Sequence, residues 1–312
     1  MPCPKDPVGA QHAAPEDLGD QGADGGVCRP RVHMSSGNYT TIKLETRGKV
    51  AWVILNRPDV RNAFNAQMIS EIADAFRAIN QRATGGMLPK AAGRGKHVND
   101  LRVVVVTGEE NAFCAGADLK WMGDVLKYSY EENLKDSLSL AEMFHLMFTC
   151  PLPTIARVNG PAIGGGCGIA AVCDIVIASE RAIFSLSEVK LGLVPACISP
   201  YVIRRMGDKN CREYLLTGEH LTAEKALAAG LANQVVADDK LDETINARIE
   251  QLLSSGPEAL AWCKQLLEKA PEIPEPDVGK YTAEVIARLR MSPEGQEGMK
   301  AFFEKRKPKW WE

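Results

Sequence analysis

The chain has little of what marks the commonest cofactor and metal sites. Its closest cysteine pair, Cys167 and Cys173, is too widely spaced for the CxxC of a zinc ribbon or a dithiol redox centre. None of its five histidines stands in an HExxH arrangement, which removes the zinc-protease helix. No apolar run approaches the ~20 residues that cross a bilayer. Even the run of four valines at 103–106 stops at Thr107-Gly108. A strong charge imbalance is also missing: the formal net charge of -3 gives no overall attraction to nucleic acid or anionic lipid.

What remains is a globular composition. At 312 residues, 45% hydrophobic and 25% charged, the chain can bury a large core. The nine cysteines are scattered among apolar neighbours and read mostly as reduced, small hydrophobes. Residues 1–37 are rich in Gly, Pro, Ala and Asp, show no periodic apolar face, and are expected to be disordered. Asp6, Glu16, Asp17, Asp20 and Asp24 argue against a transit peptide, and the absent apolar h-region argues against a secretory signal. The terminal "KPKWWE" is unlike a peroxisomal SKL-type address.

From Tyr39 the pattern becomes regular. "YTTIKLETRGKVAWVILNRP" reads as strand, turn and strand about Arg47-Gly48-Lys49. Asn65 is placed to cap a helix whose apolar residues Met68, Ile69, Ile72, Ala73, Phe76 and Ile79 recur at helical spacing. The segment 82–99 breaks all periodicity and reads as a basic surface loop insertion. Beyond it, buried strands at "LRVVVVTG", "LPTIARVNG", "CDIVIAS" and "AIFSLSEV" alternate with helices beginning in "DLKWMGDVL" and "DSLSLAEMFHLMFTC". From Ala223 onward the pattern is helical apart from "ANQVVA". The expected organisation is an α/β core over 38–237 followed by a helical region over 238–312.

Two segments join a buried strand to a glycine turn and a helix start: "VVVVTGEENAFCAGADLKWM" and "PTIARVNGPAIGGGCGIAAVCD". The free N–H groups at such turns can face an anion or a developing oxyanion. Neither segment has the Gly-Lys-Ser/Thr of a nucleotide loop or a GxGxxG directly after the strand. The glycine triplet 164–166 can equally serve close strand–helix packing.

Five segments in order, "AFCAGADLKWM", "NGPAIGGGCGIAAVCDIVIAS", "AIFSLSEVKLGLVP", "LTAEKALAAGLANQVV" and "AFFEKRKPKW", resemble the enoyl-CoA hydratase/isomerase (crotonase) family over about residues 40–310. The resemblance implies an α/β, crotonase-type spiral of ββα units, a C-terminal helical trimerisation region and assembly as a homotrimer or a dimer of trimers. The substrate it implies is an acyl-CoA thioester, with coenzyme A part of the substrate and no separate cofactor or metal. No membrane or nucleic-acid partner is expected, and the compartment would be mitochondrial in a eukaryote and cytoplasmic otherwise.

Carried onto this chain, the family's oxyanion hole falls on the backbone N–H groups of Ala117 and Gly165, where a side chain at 165 is expected to intrude on the thioester. The coenzyme A contacts fall on Val60, Arg61, Ala63, Ala115 and Ala117, and on Phe302 and Lys305, the last two reaching a neighbouring subunit. Lys305 can also be read as one cation of the solvated run "EKRKPK".

In the family's two-glutamate hydratases, one Glu follows the glycine triplet by two positions and the other lies in the "SE" of the next strand. Here the first position is Gly168 and the second is Glu188. Apolar neighbours should raise the pKa of Glu188 and suit it to proton transfer. Carboxylate counting favours a 1,3-proton shift, an isomerase. "LSEVKLGLVPACISPYVIRRMG" resembles hydratases of branched glutaconyl-CoA substrates, and "PACISPY" departs from the usual "PGAGGT". The expected activity is hydration of a 2-enoyl-CoA of medium length or with a branch. The alternatives are a Δ3,Δ2-enoyl-CoA isomerase, a hydratase-lyase or decarboxylase of the same superfamily, and a non-catalytic acyl-CoA or RNA binder using the 82–99 loop.

Overall fold

The structure, a computed structural model, describes residues 39–84 and 101–311. The expected disordered extension and most of the 82–99 insertion lie outside the described residues. The chain enters through a hairpin of Ile42–Arg47 (β1) and Val50–Leu55 (β2). Arg47 pairs with Val50, so the turn is Gly48-Lys49, and Gly48 takes the positive φ of 60° that such a tight turn demands. Helix Ala66–Thr84 (α1) follows, its first turn capped where Asn65 Oδ1 accepts the Met68 N–H at 3.0 Å. The six apolar residues expected on its inner face are all buried.

The remaining elements are β3 (Val103–Gly108), α2 (Leu119–Val125), α3 (Tyr130–Phe148), β4 (Thr154–Val158), β5 (Ala162–Ile163), α4 (Gly165–Val172), β6 (Ile175–Ser179) and β7 (Ile183–Ser185). They continue as α5 (Ser199–Thr217), β8 (His220–Thr222), α6 (Ala223–Ala228), β9 (Gln234–Val236), α7 (Leu241–Leu253), α8 (Pro257–Lys269), α9 (Asp277–Met291) and α10 (Pro293–Phe303). No helix among the described residues is long and apolar enough to cross a membrane.

The main sheet runs β1-β2-β3-β4-β6-β9, parallel throughout except for the β1-β2 pair. Parallel strands need crossovers, so helices cover both faces and the strands are apolar on both sides. Along β2, Ala51, Val53 and Leu55 join the core built with α1, α3 and α4, while Val50, Trp52 and Ile54 face Leu241, Ile245 and Ile249 of α7. This two-sided burial explains why "VAWVIL" and "VVVVTG" carry no polar alternation.

Of the second, three-stranded sheet of β5, β7 and β8, the sequence reading contained only the strand in "AIFSLSEV", which is β7. Strands β5 and β8 are only two or three residues long, too short for a periodicity signal. The strand expected through "AIFSLSEV" ends at Ser185, and Glu188 instead opens a 3-10 turn over Glu188–Leu191.

Candidate active site

Strands β2, β3 and β4 lie side by side and parallel, so the segments leaving their carboxyl ends, at 56–64, 109–118 and 159–164, run as neighbours. That edge of a parallel sheet is where α/β proteins hold ligands. Two asparagines fasten the middle segment. Asn62 Nδ2 donates to the carbonyls of Glu109 (2.9 Å) and Ala112 (2.8 Å), and Asn159 Nδ2 to those of Gly108 (3.0 Å) and Glu110 (2.7 Å). Single bridges then pair Phe64 with Ala117 and Cys114 with Ala162.

The Phe64 bridge aims the first predicted oxyanion donor. Phe64 N–H donates to Gly116 C=O at 2.8 Å, and Asp118 N–H donates to Phe64 C=O at 3.0 Å. In an extended segment the intervening N–H points the other way, so that of Ala117 faces away from Phe64 and has no acceptor among the described residues. The second donor, Gly165, is the first residue of α4 and has no intrahelical acceptor for its N–H. Gly164 precedes it at φ 53° and ψ -119°, a conformation for glycine, and its own N–H donates to Ser185 C=O at 2.7 Å.

A Cβ built on Gly165 runs into the far carbon of the Phe64 ring, so the packing of Phe64 by itself favours glycine there. Phe64 thus touches both predicted donors: its backbone pairs with Ala117 and its ring abuts Gly165.

Around Ala117 the geometry is held by charge. Asp118 caps α2 by accepting the N–H groups of Lys120 (2.8 Å) and Trp121 (3.3 Å), and it pairs with Arg57 at 2.7 Å. Arg57 also donates to Ala63 C=O at 2.6 Å. Burial pushes the Asp118 carboxyl up, but the Arg57 guanidinium and the two N–H donors outweigh it and hold the group below the usual carboxylate range.

Glu188 reaches the same place from β7, whose parallel pairing with β5 sets Ser185 beside Ile163. Its Oε1 lies 3.1 Å from the point where a Cβ on Gly164 would stand, one residue from Gly165. Its Oε2 is buried with no hydrogen-bond partner among the described residues. Burial raises its pKa, and a bond from its own backbone offsets only part of that rise. A buried carboxylate oxygen left without a donor carries a desolvation cost, and such groups gather where a ligand or reactant completes them.

Gly168, the position without a carboxylate, is not open space. A Cβ there would run into Ile198 Cγ2 and stand 2.9 Å from Phe144 Cε1 and 3.0 Å from Ile198 Cβ. Ile198 is the N-cap residue of α5 and is only 3% exposed, and Phe144 belongs to α3. The neighbouring cysteines are inert fillers. Burial pushes the Cys114 thiol up to about 12 and the Cys167 thiol well above its ordinary value, with Cys167 Sγ donating to Ala162 C=O at 2.9 Å.

The residues expected to hold coenzyme A divide into two groups. Val60, Arg61 and Ala63 lie along Ala115 and Ala117, joined where Ala115 N–H donates to Arg61 C=O at 2.9 Å. Val60 and Arg61 are exposed and Ala63 is buried. Phe302 and Lys305 are exposed on and just after α10, and no hydrogen bond joins them to that segment among the described residues. Sequence reasoning missed Phe64, Arg57 and Asp118. The two charges inside the otherwise apolar stretches "VILNRP" and "AFCAGADL" were the available signal for that ion pair.

Comparison with known proteins finds the same family in sequence and in fold. The family model described as enoyl-CoA hydratase/isomerase matches residues 94–312. A putative enoyl-CoA hydratase of Thermus thermophilus is 37% identical over 85% of this chain and 98% of its own. A probable mitochondrial enoyl-CoA hydratase of Dictyostelium discoideum is 34% identical over 87% of this chain and 91% of its own. The crystal structure of an enoyl-CoA hydratase from Shewanella pealeana superposes with a TM-score of 0.79 at 39% identity, covering 88% of this chain and 97% of that one.

Proposed function

The chain belongs to the enoyl-CoA hydratase/isomerase family and has its α/β crotonase fold, and on that premise we propose that it hydrates a 2-enoyl-CoA with Glu188 as the sole proton carrier. The thioester oxygen would accept the N–H groups of Ala117 and Gly165. Glu188 takes a proton from water as the water oxygen bonds to Cβ, and the electrons of the double bond move onto the thioester as an enolate. The same carboxyl then returns a proton to Cα. Atoms balance as substrate plus one water, with no cofactor. Each backbone donor is worth about 3 kcal/mol of barrier by comparison with other oxyanion holes.

The observation that carries this reading is the buried Oε2 of Glu188, without a partner among the described residues, beside the amino end of α4. Support for hydration over isomerisation comes from the names of the relatives. The acyl group we propose is of medium length or branched, because the wall at Gly168 is hydrocarbon. Coenzyme A would run along Val60, Arg61, Ala63 and Ala115. Assembly as a homotrimer or dimer of trimers is supported by the exposed Ile286, Met291, Met299, Phe302 and Phe303 on α9 and α10, with Phe302 and Lys305 reaching a neighbouring subunit's coenzyme A. The compartment we propose is mitochondrial for a eukaryotic source and cytoplasmic for a bacterial one.

One observation favours a second reading. Gly168 supplies no second carboxylate to hold the water, and a 1,3-proton shift by a Δ3,Δ2-enoyl-CoA isomerase needs only one base. Absorbance at the enoyl-thioester band separates the two when pure protein meets crotonyl-CoA, 3-methylglutaconyl-CoA and a 3-enoyl-CoA. Loss of the band with the first two is the expected result. Turnover of the 3-enoyl substrate alone would assign the isomerase.

A further inference from the structure

Two departures from the family pattern, glycine at 168 and "PACISPY" at 195–201, stand apart in the sequence and meet in the fold. Gly168 lies three residues beyond Gly165 on α4, so the two share one helix face about one turn apart. On the enoyl-CoA reading, residue 168 lies one turn along the helix whose first N–H would hold the thioester oxygen. The space beside residue 168 is taken by Ile198, whose Cβ and Cγ2 both lie inside the reach of a residue-168 side chain, with the Phe144 ring behind.

Ile198 is not free to yield. It is 3% exposed, its C=O accepts the N–H groups of Tyr201 and Val202 at 3.1 Å each, and Pro200 stiffens the same turn. Tyr201 is braced in turn against the rings of Phe148 and Phe144, at centroid distances of 5.1 and 6.4 Å. The beginning of α5 thus presents a branched hydrocarbon wall at a fixed height.

We propose that Ile198 is the specificity-determining residue of the acyl site, closing the place of a second carboxylate and offering an apolar contact to a substituent on Cβ of the substrate. The inference rests on the enoyl-CoA reading of the site. Residue 168 stays glycine because Ile198 is there, and the acyl groups favoured are those carrying a methyl or larger branch at Cβ.

The test uses the full chain with Glu188→Gln to suppress turnover, and measures Kd for crotonyl-CoA and 3-methylcrotonyl-CoA by titration calorimetry. Replacing Ile198 by Ala in that background is expected to cost the branched thioester about tenfold relative to the straight one, the scale of one methyl group in an apolar pocket. Ile198→Leu keeps the volume, moves the branch from Cβ to Cγ, and covers the case in which the alanine variant folds poorly. It should shift the ratio in the same direction.

A Kd ratio that stays within about twofold of the parent in a folded variant overturns the assignment. Failure of the hydratase reading shows separately, as absence of hydration by the unmodified protein, because the affinity ratio needs no chemistry.

Discussion

The ring of Phe64 stands where a side chain on residue 165 would begin, while the Phe64 backbone is hydrogen-bonded on both sides of Ala117. One residue therefore gauges the spacing of the two predicted oxyanion donors, across segments that leave different strands.

This contact predicts a compensating pair. Gly165→Ala alone should destabilise by about 1–3 kcal/mol through overpacking. Phe64→Ala alone should cost about 3–5 kcal/mol as a large-to-small core change. In the double variant the new methyl group enters the space vacated by the ring, so the combined loss falls short of the sum by more than about 1 kcal/mol in urea unfolding. Simple additivity would mean that the ring and the glycine do not constrain each other.

Glu188→Gln keeps shape and removes the proton carrier. Turnover of a 2-enoyl-CoA should fall by about 100-fold or more while Kd for the thioester changes little. Steady-state kinetics with calorimetry reads both quantities, and a variant keeping more than a few per cent of turnover removes Glu188 from its proposed role.

The same carboxyl makes stability depend on pH. Its folded-state pKa is raised above the ordinary 4.5, so over the interval from that value to the raised one the folded chain holds more protons than the unfolded chain. Stability contributed by Glu188 is then fully present below about pH 4 and is lost as pH rises through the folded value. Glu188→Gln should match the parent near pH 4 and become the more stable of the two at pH 8, as read by thermal unfolding at each pH. A constant difference across that range would show that burial does not perturb the group.

Asp118 has two separable duties. Asn at this position retains an oxygen for the α2 cap but loses the Arg57 ion pair, whereas Ala loses both. Denaturant unfolding should place Asp118→Ala about 3 kcal/mol below the parent, with Asp118→Asn between them. Equal losses would assign the whole effect to the ion pair.

Much of the fold was legible because long elements leave a periodic trace. The inner face of α1, the two-sided burial of β2 and β3, and the helical run from α7 to α10 each follow from apolar spacing over many residues. In the small sheet, β5 and β8 left no such trace, since two or three residues cannot display a period. Ala117, Gly165 and Glu188 were singled out through the family resemblance of the segments that carry them. Phe64 was missed because nothing in "NAFN" says that its ring will end against a glycine about a hundred residues later.

By itself, the sequence determined the family, the two glycine turns and the single carboxylate, since each depends on residue type and on spacing along the chain. Tertiary structure alone decided what surrounds them. It set Phe64 against Gly165, left Glu188 Oε2 buried without a partner among the described residues, and filled the position beside Gly168 with Ile198. Those outcomes depend on which side chains meet across strands and helices distant in sequence, and close packing lets only one of them occupy each space.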